Sequence, residues 1–105
     1  MLKTLSLSIA LMLISATSLA GPIWLDVRSY GEFKSESLTG SINIPHTQVA
    51  KEISEITKNK DAKINVYCRS GHRSGIALDV LKKMGYNNVK NVGGISDARK
   101  LKQAK

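Results

Sequence analysis

The chain contains a single cysteine, Cys68, among its 105 residues. One cysteine cannot form a disulfide within the chain, and it cannot supply the paired thiolates of a structural zinc site. The two histidines, His46 and His72, lie in different segments, and so we expect neither a metal ion nor any other cofactor. A lone thiol in a small protein is therefore either a reactive group or one half of a bridge between chains.

Acidic residues are scarce, with 8 of them against 16 basic residues and a formal charge of +8. Many of the basic residues lie in segments 58–63 and 99–105, where no aromatic residue is interleaved and no nucleic-acid motif occurs. This pattern is typical of a well-hydrated surface, and the positive field also favours the approach of a small anion. We expect a monomer without a nucleic-acid partner.

No apolar stretch is long enough for a transmembrane helix, which needs roughly 20 residues. The most apolar stretch, residues 5–14, follows Lys3 and precedes Ser18 and Ala20, small residues at the positions expected before a cleavage site. The pattern predicts a cleaved signal peptide over residues 1–20 and an exported protein without stable membrane insertion. The remaining residues, 21–105, are enough for one small domain.

Strand-like and helix-like segments alternate along residues 21–105. Apolar, β-branched runs predict strands, and apolar residues spaced three and four apart predict helices. Alternation of this kind predicts an α/β fold, with a mainly parallel sheet of four to five strands flanked by helices on both faces. The predicted strands are 23–27, 41–45, 63–67 and 87–92. The predicted helices are a short helical turn around 32–35, a helix that contains Val49, Ile53 and Ile56, a helix from Ser74 that stops at Gly85, and a last helix over 95–102. Gly93 and Gly94 are predicted to form a turn.

The cysteine begins the segment "CRSGHRSG", residues 68–75, directly after a predicted strand. The carboxyl edge of a parallel sheet is where open α/β folds bind ligands. The loop N–H groups, the positive end of the following helix and the charges of Arg69 and Arg73 should lower the pKa of the Cys68 thiol. Gly71 and Gly75 permit backbone conformations in which successive N–H groups turn inward around an anion. The pattern favours a reactive thiolate over an inert buried cysteine.

A loop that holds an anion around a thiolate is compatible with more than one chemistry. Tyrosine-phosphatase-like enzymes place five residues between the cysteine and the phosphate-binding arginine. Here only four residues separate Cys68 from Arg73, and Ser74 occupies the place of that arginine. This loop length argues against the first alternative, a phosphatase or an arsenate-reductase-like enzyme. A second alternative is a non-catalytic module that binds an anion or an acidic partner.

Four segments together resemble the rhodanese family. The loop is similar to its C-R-x-G-x-R motif, "LDVRSYGEF" (25–33) to D-V-R-x-x-x-E-F, "LTGSINIP" (38–45) to H-I-x-G-A-I-N-I-P, and "MGYNNVKNVGGI" (84–95) to a conserved glycine-rich segment. The resemblance implies a small rhodanese-like domain, and the predicted signal peptide would export it to the periplasm. It also implies sulfur transfer from thiosulfate to cyanide or a thiol acceptor, through a persulfide on the cysteine.

The resemblance also implies roles for individual residues. Cys68 would be the catalytic residue, and Asp26, Arg28 and Glu32 would form a structural ion-pair network beneath the site. We expect the His72 side chain to face solvent, and we expect Ser74 to cap the helix or to bond to groups of the loop. The substrate-binding residues would be Arg69, Ser70, Gly71, His72, Arg73 and Ser74.

Overall fold

A computed structural model describes residues 21–104. The predicted signal peptide, residues 1–20, and the last residue of the predicted domain lie outside this range. The strands are β1 (Ile23–Asp26), β2 (Ile42–Asn43), β3 (Ile64–Cys68) and β4 (Val89–Gly94). The helices are α1 (Tyr30–Ser35), α2 (Val49–Ile56), α3 (His72–Lys83) and α4 (Ile95–Gln103), with a short 3-10 turn at His46–Gln48.

The four strands form one parallel sheet in the order β2-β1-β3-β4. This confirms the predicted α/β class and the parallel sheet. β3 lies between β1 and β4, and the carboxyl ends of the strands share one edge of the sheet. Cys68 is the last residue of β3, and so it lies at the edge where the loop to α3 begins.

Each face of the sheet packs against helices because successive strand side chains point to opposite sides. On one face, buried Leu25 and Val66 pack with residues of α2 and α3. On the other face, buried Trp24 and Tyr67 pack with Leu38 and with α4. The prediction of helices on both faces is confirmed. The helical members of these two clusters are Val49 and Ile53 of α2, Ala77 and Leu81 of α3, and Ala98 of α4.

Most element boundaries differ from the prediction by one or two residues, and two of these differences lie next to the cysteine loop. α3 begins at His72 and not at Ser74, because Gly71 is its N-cap in a left-handed conformation with φ of 103°. Gly93 and Gly94 do not form a separate turn, since they are the last two residues of β4. Gly85 ends α3 with φ of 98°, as predicted. None of the helices between residues 21 and 104 combines the length and apolar character that a bilayer span requires.

Candidate active site

The Cys68 sulfur is surrounded by hydrogen-bond donors of its own loop. Cys68 is 1% exposed, and its Sγ accepts the backbone N–H of Gly71 at 2.9 Å and that of Ser74 at 3.4 Å. The Ser74 hydroxyl also lies 3.4 Å from Sγ. The loop therefore converges on the sulfur with backbone and side-chain groups, as the sequence predicts for an anion-binding nest.

Hydrogen bonds to the Cys68 sulfur lower the pKa of the thiol. Burial alone would raise the pKa of Cys68, but hydrogen bonding with the Ser74 side chain and with the backbone N–H groups of Ser74, Gly71 and Ser70 outweighs it, and the pKa lies below its ordinary value. The sequence analysis names the loop N–H groups, the helix end and the two arginines as causes of this lowering. The loop's hydrogen bonds, the first of these, make the largest lowering contributions.

The two glycines of the loop differ in backbone conformation. Gly71 takes the positive φ that the nest requires, and a Cβ there would lie 3.4 Å from the Cα of Gly93. Gly75 lies within α3 and is not among the glycines with positive φ, contrary to the prediction. A Cβ on Gly75 would be 3.5 Å from Nδ2 of Asn91. This is an ordinary van der Waals distance, so neither the backbone conformation nor the packing of Gly75 requires glycine.

Glu32 of α1 reaches the loop and pairs with its arginines. Arg73 donates from Nη1 to Oε1 of Glu32 at 2.8 Å and from Nη2 to Oε2 at 3.0 Å. Arg69 makes a longer contact of 3.4 Å from Nε to Oε2, and its side chain is 76% exposed. The hydrogen bond from Arg73, together with the Ser29 backbone N–H, holds the pKa of the Glu32 carboxyl well below its usual range.

The predicted network of Asp26, Arg28 and Glu32 is divided in the structure. Asp26 and Arg28 form a buried ion pair, with 2.7 Å between Nη2 and Oδ2 and 3.0 Å between Nε and Oδ1. The hydrogen bond to Asp26 raises the pKa of Arg28, which also donates to the Glu36 carbonyl. Glu32 belongs with the cysteine loop, because its partners are Arg73 and Arg69.

The remaining predicted loop residues differ in exposure. Ser70 and His72 are exposed, so the imidazole lies on the surface at the start of α3. Ser74 is fully buried in the first turn of α3 and is not its cap, and its hydroxyl contacts Cys68 and Asn91. Among residues 21–104, no three side chains of histidine, cysteine, aspartate or glutamate are placed to hold a metal ion.

A separate cleft of about 350 Å³ lies on the face covered by α4. Its lining does not include the loop residues 68–74, and so it is not the site of the thiol. The cleft is lined by Ser37, Leu38, Thr39, Arg99, Lys102 and Gln103.

Two residues of β4 support the loop and were missed in the sequence. Asn91 is one of four polar residues in the predicted strand 87–92, and Gly94 pairs with Cys68 across the sheet. A Cβ on Gly94 would collide with the carbonyl oxygen of Arg69 and lie 3.1 Å from its carbonyl carbon. The only sequence signals were a polar residue in a strand and a Gly-Gly pair, and neither identifies its contact.

We expect Gly94→Ala to displace the loop, because the added methyl group meets backbone atoms that cannot rotate away. The free energy of unfolding should fall by about 1–3 kcal/mol. Iodoacetamide should alkylate Cys68 more slowly at neutral pH, because the loop N–H groups move away from the sulfur and the thiol pKa rises. Chemical denaturation and alkylation rates measure the two effects.

Gly31→Ala is the matched control. Gly31 lies in α1, its φ is not positive, and a Cβ there meets nothing within 4 Å. It should be neutral or stabilising by about 0.5–1 kcal/mol, with unchanged alkylation. If Gly94→Ala behaves like Gly31→Ala in both measurements, the close approach of Gly94 to the loop is not important.

Comparison with known proteins gives one consistent result. The family model described as a rhodanese-like domain matches residues 12–100. Thiosulfate sulfurtransferase PspE of Escherichia coli is 37% identical over 92% of this chain and 92% of its own length. A solved E. coli rhodanese with anions superposes with a TM-score of 0.71 at 38% identity, over 73% of this chain and 91% of that one. The putative sulfur carrier protein YrkF of Bacillus subtilis is 37% identical over 65% of this chain and 36% of that protein.

Proposed function

Since the chain belongs to the rhodanese-like domain family, we propose that it is a thiosulfate sulfurtransferase that carries sulfane sulfur as a persulfide on Cys68. The observation that best supports this function is the set of hydrogen bonds to the Cys68 sulfur, which lower its pKa. The thiolate is the nucleophilic form of a cysteine. PspE is named as a thiosulfate sulfurtransferase and matches this chain over 92% of its length, which supports thiosulfate as the sulfur donor.

The proposed first half-reaction transfers one sulfur atom to the enzyme. The Cys68 thiolate attacks the outer sulfur of thiosulfate, a new S–S bond forms, and the S–S bond of thiosulfate breaks with its electron pair leaving on sulfite. The products are a Cys68 persulfide anion and the sulfite dianion, so atoms and charge balance. The loop N–H groups bond the Cys68 sulfur, and in the proposed reaction they would also stabilise the persulfide anion.

Arg73 is the better placed arginine to bind the sulfonate end of the donor. A guanidinium has five N–H donors in one plane, and Glu32 takes two of them, so three stay available to an oxyanion. The carboxylate thus orients the guanidinium and leaves donors for the substrate. Arg69, with its exposed side chain and longer contact to Glu32, adds positive charge at the entrance.

The proposed second half-reaction restores the thiolate. A nucleophile, either cyanide or a thiolate acceptor, attacks the outer sulfur of the persulfide, and Cys68 leaves as the thiolate. With cyanide the product is thiocyanate, and again no oxidant or reductant is needed. Persulfides are reversible cysteine modifications, as a carrier of sulfur requires.

Steady-state kinetics of the purified protein test this proposal. Thiocyanate formation from thiosulfate and cyanide should give parallel double-reciprocal lines, because sulfite leaves before the acceptor reacts. The four-residue spacing between Cys68 and Arg73 predicts no hydrolysis of an aryl phosphate. If the protein hydrolyses an aryl phosphate in a reaction that depends on Cys68 and forms no thiocyanate, it is a phosphatase. If it shows neither activity but still binds anions, it is a binding module.

We further propose that the protein acts in the periplasm as a monomeric domain of residues 21–105, after cleavage of residues 1–20. The apolar stretch after Lys3 and the small residues Ser18 and Ala20 support an exported precursor. Gly21 should be the first residue of the periplasmic protein on N-terminal sequencing. An N-terminus at Met1 would contradict cleavage.

A further inference from the structure

Asn91 on β4 makes three hydrogen bonds around the cysteine loop. Its Oδ1 accepts the Ser74 hydroxyl at 2.7 Å and the backbone N–H of Gly93 at 3.0 Å, and its Nδ2 donates to the Gly71 carbonyl at 3.1 Å. Because the Gly93 N–H is only a donor and the Gly71 carbonyl only an acceptor, the orientation of the amide is determined. The oxygen of Asn91 must face Ser74.

This orientation decides where the single hydroxyl proton of Ser74 points. Oδ1 can only accept, so the Ser74 hydroxyl donates to it, and the same proton cannot also be donated to Cys68. The neutral thiol can donate its own proton to Ser74 Oγ, 3.4 Å away. The thiolate has no proton, and it would be best stabilised if the hydroxyl turned from Asn91 to the sulfur.

We propose that Asn91 is a positioning residue that competes with Cys68 for the hydroxyl proton of Ser74. Asn91 holds the hydroxyl while the sulfur is a thiol, and it releases the hydroxyl when the sulfur is an anion. The acceptor is not left unpaired after release, because the Gly93 N–H stays bonded to Oδ1. Asn91 thereby sets how readily the Cys68 thiol ionises.

The charged groups near the sulfur come from the loop and three helices. Arg69 belongs to the loop and Arg73 to α3, and Glu32 reaches them from α1. Asp97 of α4 accepts the N–H of Gly94, the residue opposite Cys68 on β4. The test changes Asn91 and Ser74, with Asn87 as a control, so these four charges are common to every variant.

Two substitutions at Asn91 should move the thiol pKa in opposite directions. Asn91→Ala frees the Ser74 hydroxyl to donate to the thiolate, and we expect the pKa of Cys68 to fall by about 0.5 to 1 unit. The Gly71 carbonyl still accepts the N–H of Gly75, so no acceptor of the loop is left unpaired. Asn91→Asp binds the hydroxyl more strongly and adds negative charge, so the pKa should rise by about one unit or more.

The pH dependence of Cys68 alkylation by iodoacetamide measures these shifts in the full protein. A lower pKa moves the midpoint of the rate profile to lower pH, and a higher pKa moves it to higher pH. In a Ser74→Ala background, Asn91→Ala should leave the midpoint unchanged, because the hydroxyl that it releases is gone. Asn87→Asp, an exposed position before β4, is the charge control and should leave the midpoint unchanged.

The outcome separates positioning from a purely structural role. Loss of support alone would move the loop away from the sulfur, and both Asn91 variants would then raise the pKa. A rise for Asn91→Ala, no shift for it, or an equal fall in the Ser74→Ala background would overturn the proposal. If Asn91→Asp does not fold, the alanine variant and the double variant still decide. The proposal rests on the proposed function only in taking Cys68 as the reacting thiol. Alkylation needs no sulfur donor, so its result is independent of whether the protein transfers sulfur.

Discussion

Cys68→Ser should reduce thiocyanate formation to the uncatalysed background, a loss of at least about 10⁴-fold. Serine is close in size to cysteine, but its hydroxyl stays protonated in a site that stabilises a thiolate. It also cannot form the S–S bond on which the proposed transfer depends. Because Cys68 is the only cysteine in the chain, no other residue can form that bond.

The folded state of Cys68→Ser should be retained, which makes the loss of activity interpretable. The loop N–H groups of Gly71 and Ser74 can donate to the serine oxygen as they do to the sulfur. Circular dichroism and the melting temperature check the fold. More than about a tenth of the wild-type rate, measured on protein free of wild-type contamination, would show that Cys68 does not carry the reaction.

Arg73→Gln should have the second largest effect, with kcat/KM for thiosulfate falling roughly 100-fold. The variant removes a planar, charged donor group whose orientation is determined by two hydrogen bonds to Glu32. Arg69→Gln should reduce the same parameter roughly 10-fold or less, because that side chain is 76% exposed and only loosely held. The sequence does not distinguish these two arginines, whereas in the structure Arg73 is held by Glu32 more closely than Arg69 is.

Arg99→Gln is the matched control for the arginine variants. Arg99 also pairs with a glutamate, donating from Nη2 to Oε2 of Glu36 at 2.6 Å, but it lines the separate cleft. The substitution changes the net charge equally, and so any general loss of anion attraction appears in both. Equal effects of Arg73→Gln and Arg99→Gln would mean that overall charge, and not a placed guanidinium, governs the use of thiosulfate.

The periodicity of the sequence was enough to predict most of the fold. β1 and β3 are buried on both faces, so their apolar, β-branched residues form continuous runs that are easy to recognise. The third helix was predicted to start too late because serine is a common N-cap, whereas Gly71 has that position in this loop. The end of β4 was missed because glycine pairs usually indicate turns, and the backbone approach that Gly94 permits is a tertiary contact.

The sequence predicted which residues form the site better than it predicted the contacts between them. Loop residues 68–74 were identified because they are contiguous, and the structure gathers their N–H groups at the sulfur. The family resemblance grouped Glu32 with Asp26 and Arg28. The partner of Glu32, Arg73, is 41 positions away, and no local pattern indicates such a contact. The same applies to Asn91, which is 17 positions from Ser74.

Intact-mass analysis of the protein after incubation with thiosulfate tests the persulfide on Cys68 most directly. We expect the protein to gain one sulfur atom, about 32 Da, and to lose that mass on treatment with cyanide. Cys68→Ser should show no gain under the same conditions. If the wild-type protein gains no sulfur although iodoacetamide shows that its thiol is free, Cys68 does not accept sulfur from thiosulfate and the proposed function is wrong.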